Sequence, residues 1–560
     1  MKKKLIGVLL TMTFCICAAW ATVETSRAAA NINITLPSFK VTMNGEVVNN
    51  DYSRYPLIVY KDITYFPMTY SDCRFLGIES TWTGNSTGLF IESTGVTTAY
   101  NPYISNQRNG RTYQATIPDF PISVNGKAID NSKEEYPVIS FRDITYFPMT
   151  WKYCVGQFAW DYKFDSAGGL VIKSTNAKLD KISIPKNRLI EEYGDYAGKR
   201  GLAVIAKNGY CYYVDDKGAV MQAPLSDMKK TKKVYQLGAW SYGDGKQLDR
   251  HSFYEENGKA MLYYHSGGAV MGSDHRYILK KDGTTQKIQG SYWETTLIGN
   301  KLYMYWRGPT PGPGNLHVSD SVEIDDTVDI ESKRLGPADY WYYSLCDIQG
   351  LPIFEMIGNE LYVRAAKVMQ GYDDGRERIL ADPAVFKVNT DTNTLTRVSQ
   401  SKDAVINAQI AGEYLYYIAA DGEEDKYSYN IYKHSLKEST ETLMGSFEGD
   451  YPYYIQFAVV GEHIYYIDYG IDEPLLYRLA DKESLNPKAE ALSINITGDN
   501  REYLACTFKE TQSSRYRIMV FDKSGKLVFK TSDSGSNVVV EGRTLYFYNI
   551  TTETLCKAEL

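Results

Sequence analysis

From about residue 200 to the end of the chain, apolar and polar positions alternate in short runs, and each run opens on a glycine. The clearest copies are Gly299-Asn-Lys-Leu302-Tyr303, Gly358-Asn-Glu-Leu361-Tyr362, Gly412-Glu-Tyr-Leu415-Tyr416-Tyr417, Gly461-Glu-His-Ile464-Tyr465-Tyr466 and Gly542-Arg-Thr-Leu545-Tyr546. Looser copies run over Gly209 to Tyr213, Met261 to Tyr264 and Glu502 to Leu504. A period of two puts alternate side chains on opposite faces of a strand. Within one unit it predicts four strands, at 405–411, 413–419, 429–435 and 441–444. The clear glycines lie 59, 54, 49 and 81 residues apart, the last interval holding two units, and this is the spacing of propeller blades. Unit starts near 201, 252, 293, 353, 405, 455, 494 and 536 predict eight blades over 181–560, with seven the alternative because 291–350 is irregular. The last unit has room for three strands only, so Lys181-Ile-Ser-Ile-Pro185 is expected to supply a fourth and close the ring.

The preceding part of the chain contains itself twice. Leu36 through Cys73 aligns without a gap on Ile117 through Cys154 at an offset of 81, and the octapeptide Asp62 to Thr69 recurs as Asp143 to Thr150. Val41-Thr42-Met43, Asn44-Gly45 and Val47-Val48 predict a hairpin whose Asn-Gly supplies two positive φ angles. A second strand pair follows around Lys61-Asp62, and Pro67 is expected at the first position of a helix of two or three turns ended by Gly77. Trp82 and Gly88 to Ile91 close the unit with a further hairpin. The expected fold class is mainly β: small α+β modules at 31–100 and 101–180, then the propeller at 181–560.

The order of strand, Asn-Gly hairpin, Asp-Ile-Thr-Tyr-Phe-Pro-Met-Thr, Leu-Gly, Trp and hairpin resembles the copper amine oxidase N-terminal-like domain of secreted and cell-wall proteins in Gram-positive bacteria. Thr69 and Thr150 stand where that family usually has arginine. A copper amine oxidase would need a His-x-His pair and an Asn-Tyr-Asp/Glu tripeptide; the chain has neither, so copper and amine oxidation are rejected. The later units, with Tyr416-Tyr417 followed by Ile431-Tyr432-Lys433, are similar to a low-density-lipoprotein-receptor-type bacterial propeller of unknown function, which implies a binding scaffold.

Composition adds location. Lys2 to Lys4, the apolar Leu5 to Ala19, and small-residue sites at Ala19-Trp20-Ala21 and Ala28-Ala29-Ala30 read as an export signal over 1–30. Its removal after Ala30 would move the formal charge from −7 to −10, which argues against nucleic acid. The expected protein is secreted or cell-wall associated, with no membrane span once the signal is cleaved. Six cysteines remain, spread singly with no CxxC, so zinc and redox motifs have little support. Most read as buried thiols, and a Cys73–Cys154 pair between equivalent positions stays open. With 48 tyrosines against 19 phenylalanines, the surplus falls largely on recurring strand positions, where it serves blade packing.

Candidate chemistry is sparse. Six histidines show no ligand spacing, and there is no nucleophile elbow or phosphate loop, so no catalytic, cofactor or metal residue is assigned. Asp325-Asp326 with Asp329, Asp373-Asp374, and Asp421 to Asp425 fall between predicted strands and read as turn acids, not calcium loops. Three prolines and three glycines in Arg307 to Gly314 must project from the sheet, and Trp306, Tyr340, Trp341, Tyr342 and Tyr343 could frame a ligand platform beside them. The expected function is non-enzymatic, with N-terminal modules tethering or spacing a propeller that binds a wall polymer, glycan or extracellular protein. The alternative is a secreted polysaccharide hydrolase or lyase with its site in the propeller channel; a convergent acid pair there would favour it, and a lining of Tyr, Asn and small residues would favour binding.

Overall fold

In the computed structural model, Asn44 and Gly45 have φ of 47° and 90°, and their counterparts Asn125 and Gly126 have 48° and 79°, the two positive angles a tight hairpin requires. The structure describes residues 31–185 and 204–560, except 95, 99, 166–167, 175–176, 243–244, 268–271, 291, 308–311, 325–329, 371–378, 424–425, 450–454, 470–473, 482–483, 486–488, 511–515, 532–534 and 550–551. The expected export signal therefore lies outside the described residues. No described helix is long and apolar enough to cross a membrane.

The first copy runs β1 (Asn31–Thr35), β2 (Val41–Met43), β3 (Glu46–Val47), β4 (Ile58–Tyr60), β5 (Ile63–Pro67), α1 (Tyr70–Phe75), β6 (Ile78–Trp82), β7 (Leu89–Ser93) and β8 (Val96–Thr97). The second runs β9 (Thr112–Thr116), β10 (Ile122–Val124), β11 (Lys127–Ile129), β12 (Ile139–Phe141), β13 (Ile144–Pro148), α2 (Trp151–Cys154), β14 (Trp160–Asp165), β15 (Gly169–Ser174) and β16 (Ala177–Ser183). The expected helix start is corrected by three residues, from Pro67 to Tyr70. Pro67 ends β5, and Thr69 caps α1, its Oγ1 accepting from the Asp72 N–H at 3.1 Å and donating to Asp72 Oδ2 at 2.6 Å.

The copies interleave. Strands β1, β4 and β5 of one and β13, β12 and β9 of the other close a single barrel. Its registers place each residue opposite its own counterpart at two points, Asn33 against Gln114 and Phe66 against Phe147, which locates a pseudo-twofold axis through the barrel. Hairpin β2–β3 completes the sheet of β14 and β15 by parallel pairing, and hairpin β10–β11 reciprocally completes that of β6 and β7. One core serves both copies. Cys73, Phe75 and Leu76 pack with Cys154, Phe158 and Trp160, whose Nε1 donates to Leu76 O at 2.7 Å. The Cys73 and Cys154 thiols are free and buried.

After β16 come eight sheets of three to five strands among the described residues, six of them meanders of neighbours in sequence; the fourth is interrupted and the last takes in earlier strands. The first four begin with Val204–Lys207, Arg250–Glu256, Trp293–Ile298 and Tyr340–Tyr343; the last four begin with Ala404–Ala411, Ile455–Val460, Ala489–Thr497 and Gly535–Glu541. A separate hairpin, Ala239–Tyr242 with Gly245–Leu248, precedes the second sheet. The fifth sheet shows the unit in full, with strands Ala404–Ala411, Tyr414–Glu423, Lys426–Ser435 and Glu441–Gly449. Gly299, Gly358, Gly412, Gly461 and Gly542 each open a two-residue turn with φ between 58° and 62°, which explains the glycine at these five repeats; Asn208 and Asn257 take the same place in two of the looser copies, with φ of 59° and 49°. Tyr213, Tyr303, Tyr362, Tyr416, Tyr417 and Tyr465 on the second strands are buried. First strands of neighbouring sheets face one another around a ring, joined by carboxamides: Gln409 bonds Val459 N and O, Asn495 reaches Val538 O, and Asn537 reaches Val204 O. This is a β-propeller. The last sheet is closed by β16, with Leu179 to Ser183 antiparallel to Ala558 to Thr554, as the 181–185 segment was expected to do.

Candidate functional site

The site is set by a break in the fourth sheet. Tyr340–Tyr343 and Glu355–Ile357 pair with the same partner strand, Glu360–Gln370, while the residues between them leave the sheet and enter the ring. There Leu345 O accepts from Ala408 N at 3.0 Å, Gln349 O from Ile496 N at 3.0 Å, and Gly350 O from Asn257 N at 3.1 Å. One short segment thus touches the fifth, seventh and second sheets. Cys346, Ile348 and Leu351 bury themselves with Ala458, Val460, Ile494 and Ile496. Gly350 has φ +95°, and a Cβ there would lie 1.8 Å from Ile496 O, so only glycine fits this crossing. The ring is bridged at this level instead of forming an open channel.

Ion pairs flank the crossing segment. At the ends of the first strands, Lys207 Nζ lies 2.9 Å from Glu255 Oε1, and Thr497 Oγ1 donates to Glu255 Oε2 at 2.6 Å. Arg501 Nη1 meets Glu355 Oε1 at 2.6 Å. Between the second and third sheets, Arg276 pairs with Glu256 and donates to Tyr254 Oη at 2.6 Å and Thr295 O at 2.8 Å. Burial pushes the Glu255 and Glu256 carboxyls up, against the opposing pull of Lys207 and Arg276.

Toward the starts of the first strands, Arg307 holds two carboxylates, Asp274 Oδ2 at 3.0 Å and Glu294 Oε1 at 2.9 Å. Tyr263 Oη donates to Asp274 Oδ1 at 2.7 Å, and His265 Nδ1 lies 2.7 Å from the same oxygen. The two acids are driven apart. Burial acts to raise both, but at Asp274 the hydrogen bonds from His265 and Tyr263 outweigh it and hold the carboxyl below its usual range, whereas Glu294 stays raised.

The five platform residues divide by strand alternation. Tyr340 packs on Phe386 with ring centroids 5.5 Å apart, and Tyr342 is fully buried, its hydroxyl donating to Pro337 O at 3.1 Å. Trp341 and Tyr343 point to the other face, half-buried and 6.2 Å apart. Trp306 is half-buried against Trp293 at 5.0 Å and the exposed Tyr292 at 5.4 Å. Sequence reasoning missed the residue that joins these groups. Asn315 donates to Trp306 O at 3.2 Å and Tyr342 O at 3.0 Å, and accepts from Tyr342 N at 2.8 Å. Its place at the end of the Pro-Gly loop was the available signal. Of the acids expected in turns, Asp325, Asp326, Asp329, Asp373, Asp374, Glu424 and Asp425 lie outside the described residues, and Asp421 is exposed but sits within the strand Tyr414–Glu423, opposite Ser428, so that expectation is corrected there.

No family model and no curated protein matches this chain. Solved structures to which it is similar include the dipeptidyl peptidase 4 of Porphyromonas gingivalis, at 9% identity and TM-score 0.38 over 66% of this chain and 59% of that one. Others are the β-propeller domain of the trilobed protease from Pyrococcus furiosus (11%, TM-score 0.33, 53% and 90%) and an oligogalacturonate lyase from Vibrio parahaemolyticus (10%, TM-score 0.32, 64% and 97%). The chain spans about 59% of the length of the peptidase. At these values the similarities carry no argument about activity.

Proposed function

We propose that this is an exported or cell-surface protein that works by binding. The N-terminal unit, with its sequence resemblance to copper amine oxidase N-terminal-like domains, tethers or spaces a propeller, each of the eight sheets being a blade, that holds a wall polymer, glycan or extracellular protein. The observation that carries this reading is the crossing of the ring by the segment between Tyr343 and Glu355, with Glu255, Glu256, Asp274, Glu294 and Glu355 each held by a lysine or arginine. A general acid or base for hydrolysis needs a carboxyl free to reach substrate. The half-buried rings of Trp306, Trp341 and Tyr343, and the exposed Arg307 that follows Trp306 in the chain, offer contact surface instead.

The test is retention of the protein on purified cell wall, on glycans and on surface proteins, compared with a Trp306→Ala, Trp341→Ala variant. Retention of the parent and its loss in the variant is expected; no retention on any of them would sink the binding reading. One observation favours a second reading. The opposite displacements of Asp274 and Glu294 are what an acid and base pair needs, so a polysaccharide hydrolase or lyase would use them once substrate displaced Arg307. Loss of glycan mass on incubation, abolished by Glu294→Gln, would establish it.

A further inference from the structure

The pseudo-twofold axis of the N-terminal unit relates two grooves, and the chain fills one of them. The linker from Tyr100 to Arg111 lies along the loop after β3, from Asn50 to Arg54. Asn109 donates from its main chain to Asp51 O at 2.8 Å, and from its carboxamide to Asn50 O at 2.7 Å and Ser53 O at 2.8 Å. Ser105 N reaches Tyr52 O at 2.6 Å, Arg54 N reaches Tyr103 O at 2.8 Å, and the Tyr103 ring meets Tyr55 edge-on at 5.5 Å. Arg108 pairs with Asp51 at 2.9 Å, and Arg142 donates to Asn109 Oδ1 at 2.9 Å and to Arg54 O at 2.7 Å. Leu36 N bonds Arg111 O at 3.0 Å.

An offset of 81 carries Leu36, Asn50, Asp51, Ser53 and Arg142 onto Ile117, Asn131, Ser132, Glu134 and Lys61. All five line an open cleft of about 690 Å³. The walls of the two grooves are built alike. Asn50 Oδ1 accepts from Leu57 N at 2.9 Å as Asn131 Oδ1 does from Val138 N at 2.6 Å, and Lys61 reaches Glu135 O at 3.4 Å as Arg142 reaches Arg54 O. What differs is the occupant. Among the described residues no hydrogen bond reaches the main-chain oxygens of Ser132, Lys133 or Glu134, whose counterparts hold the linker. Where the filled groove has Ser38, Asn49 and Ser53, the open one has Asp119, Asp130 and Glu134; Asp130 is paired with Lys133 at 2.7 Å and Glu134 with Lys152 at 2.5 Å, which leaves Asp119 as the acid of the lining with no ion pair among the described residues.

We propose that this cleft docks an extended, basic segment of a separate polypeptide, with an asparagine and an aromatic ring in the spacing of Asn109 and Tyr103. Main-chain oxygens give the affinity, as when a strand is added to an exposed edge, and Asp119, the acid without an ion pair of its own, selects positive charge. A separate chain is required because the offset places Ala28 and Thr22 of the preceding segment at these two positions, where neither a carboxamide nor a ring is available. The proposal is independent of what the propeller binds.

The probe is a synthetic peptide of residues 100–111 carrying a fluorophore, titrated into the full protein by polarisation. Saturable binding of one peptide per chain is expected, weakened at least tenfold by Asp119→Lys with Glu134→Lys and equally by Arg108→Glu with Asn109→Ala in the peptide. Asp51→Lys, in the filled groove, should leave it unchanged. Thermal unfolding of each variant checks folding. No saturable binding, or binding indifferent to the cleft substitutions, overturns the proposal. So does binding seen only when the chain starts at Asn31 and lost when Thr22 to Ala30 are retained, which would assign the cleft to the chain's own leading segment.

Discussion

Replacing Asp72 by asparagine tests the electrostatics of the shared N-terminal core. Asp72 is 7% exposed at the third position of α1, and burial, partly offset by the hydrogen bond from Thr69, raises its carboxyl from 3.8 to about 6. A carboxyl raised on folding binds its proton more tightly in the native state. Its contribution is therefore fully favourable below 3.8 and is lost as the pH rises through about 6. A shift of roughly two units corresponds to about 3 kcal/mol, the cost of the buried charge at neutral pH. Asparagine keeps the acceptor for Thr69 without the charge. Asp72→Asn should therefore stabilise the N-terminal unit by up to about 3 kcal/mol at pH 7.5 and leave it nearly unchanged at pH 3.5. Hydrogen-exchange pulse labelling across a urea series reads peptides from 31–174 separately from those of the propeller. An equal difference at both pH values, or a variant less stable throughout, would refute the reasoning.

Three further outcomes follow from packing and pairing. Leu555→Ala removes a side chain 1% exposed opposite Ile182 in the closing sheet, and should cost about 2–4 kcal/mol in propeller unfolding by urea titration. Lys207→Met strands the buried Glu255 and should cost about 3–5 kcal/mol, much of it recovered by adding Glu255→Gln, read by the same titration. The thiols of Cys73, Cys154, Cys211, Cys346, Cys506 and Cys556 are buried, those of Cys154, Cys211 and Cys346 with pKa pushed up to about 12, so none should react with Ellman's reagent until the chain is unfolded.

Local features were legible because they are written in adjacent residues. The Asn-Gly hairpins, the glycine turns before each Leu-Tyr strand and the shortfall of one strand in the last sheet each need only a few neighbouring positions, and the structure bears them out. The helix entry was misread because Pro67 is as acceptable at the end of a strand as at the start of a helix, and the cap two residues on decides the boundary. Interleaving of the repeat was beyond reach for a different reason. An alignment shows that β2 and β10 are equivalent, but not whether each completes the sheet of its own copy or of the other, since both pairings bury the same residues. The ring crossing had a trace in the sequence, the irregular spacing of 291–350, whose last part holds Cys346, Ile348 and Gly350. Its main-chain contacts join residues 63, 93 and 147 positions apart, so the irregularity marked a place without giving its shape. Alternation could have warned that Tyr340 and Tyr342 face away from Trp341 and Tyr343.

The junction between the two units bears on how a tether or spacer would work. β16 begins by pairing in parallel with β8 of the N-terminal unit, Ala177 with Val96, and continues antiparallel to the last propeller strand, so one five-stranded sheet runs across the boundary. Arg517 of the seventh propeller sheet adds an ion pair to Glu92 of β7 at 2.6 Å. A flexible spacer would place a Gly/Ser-rich or Pro-rich stretch here, giving the two binding surfaces independent orientations. A shared sheet instead holds the open cleft, lined by the segment between β11 and β12 and by Lys61 of the turn between β4 and β5, at one orientation to the propeller rim. Two weak contacts on one rigid body reinforce each other only when their targets match its geometry, so a partner that engages both surfaces gains affinity and a loose collection of separate polymers does not. That selects an ordered assembly, such as one protein offering a basic arm and a second epitope, as the target class to screen first.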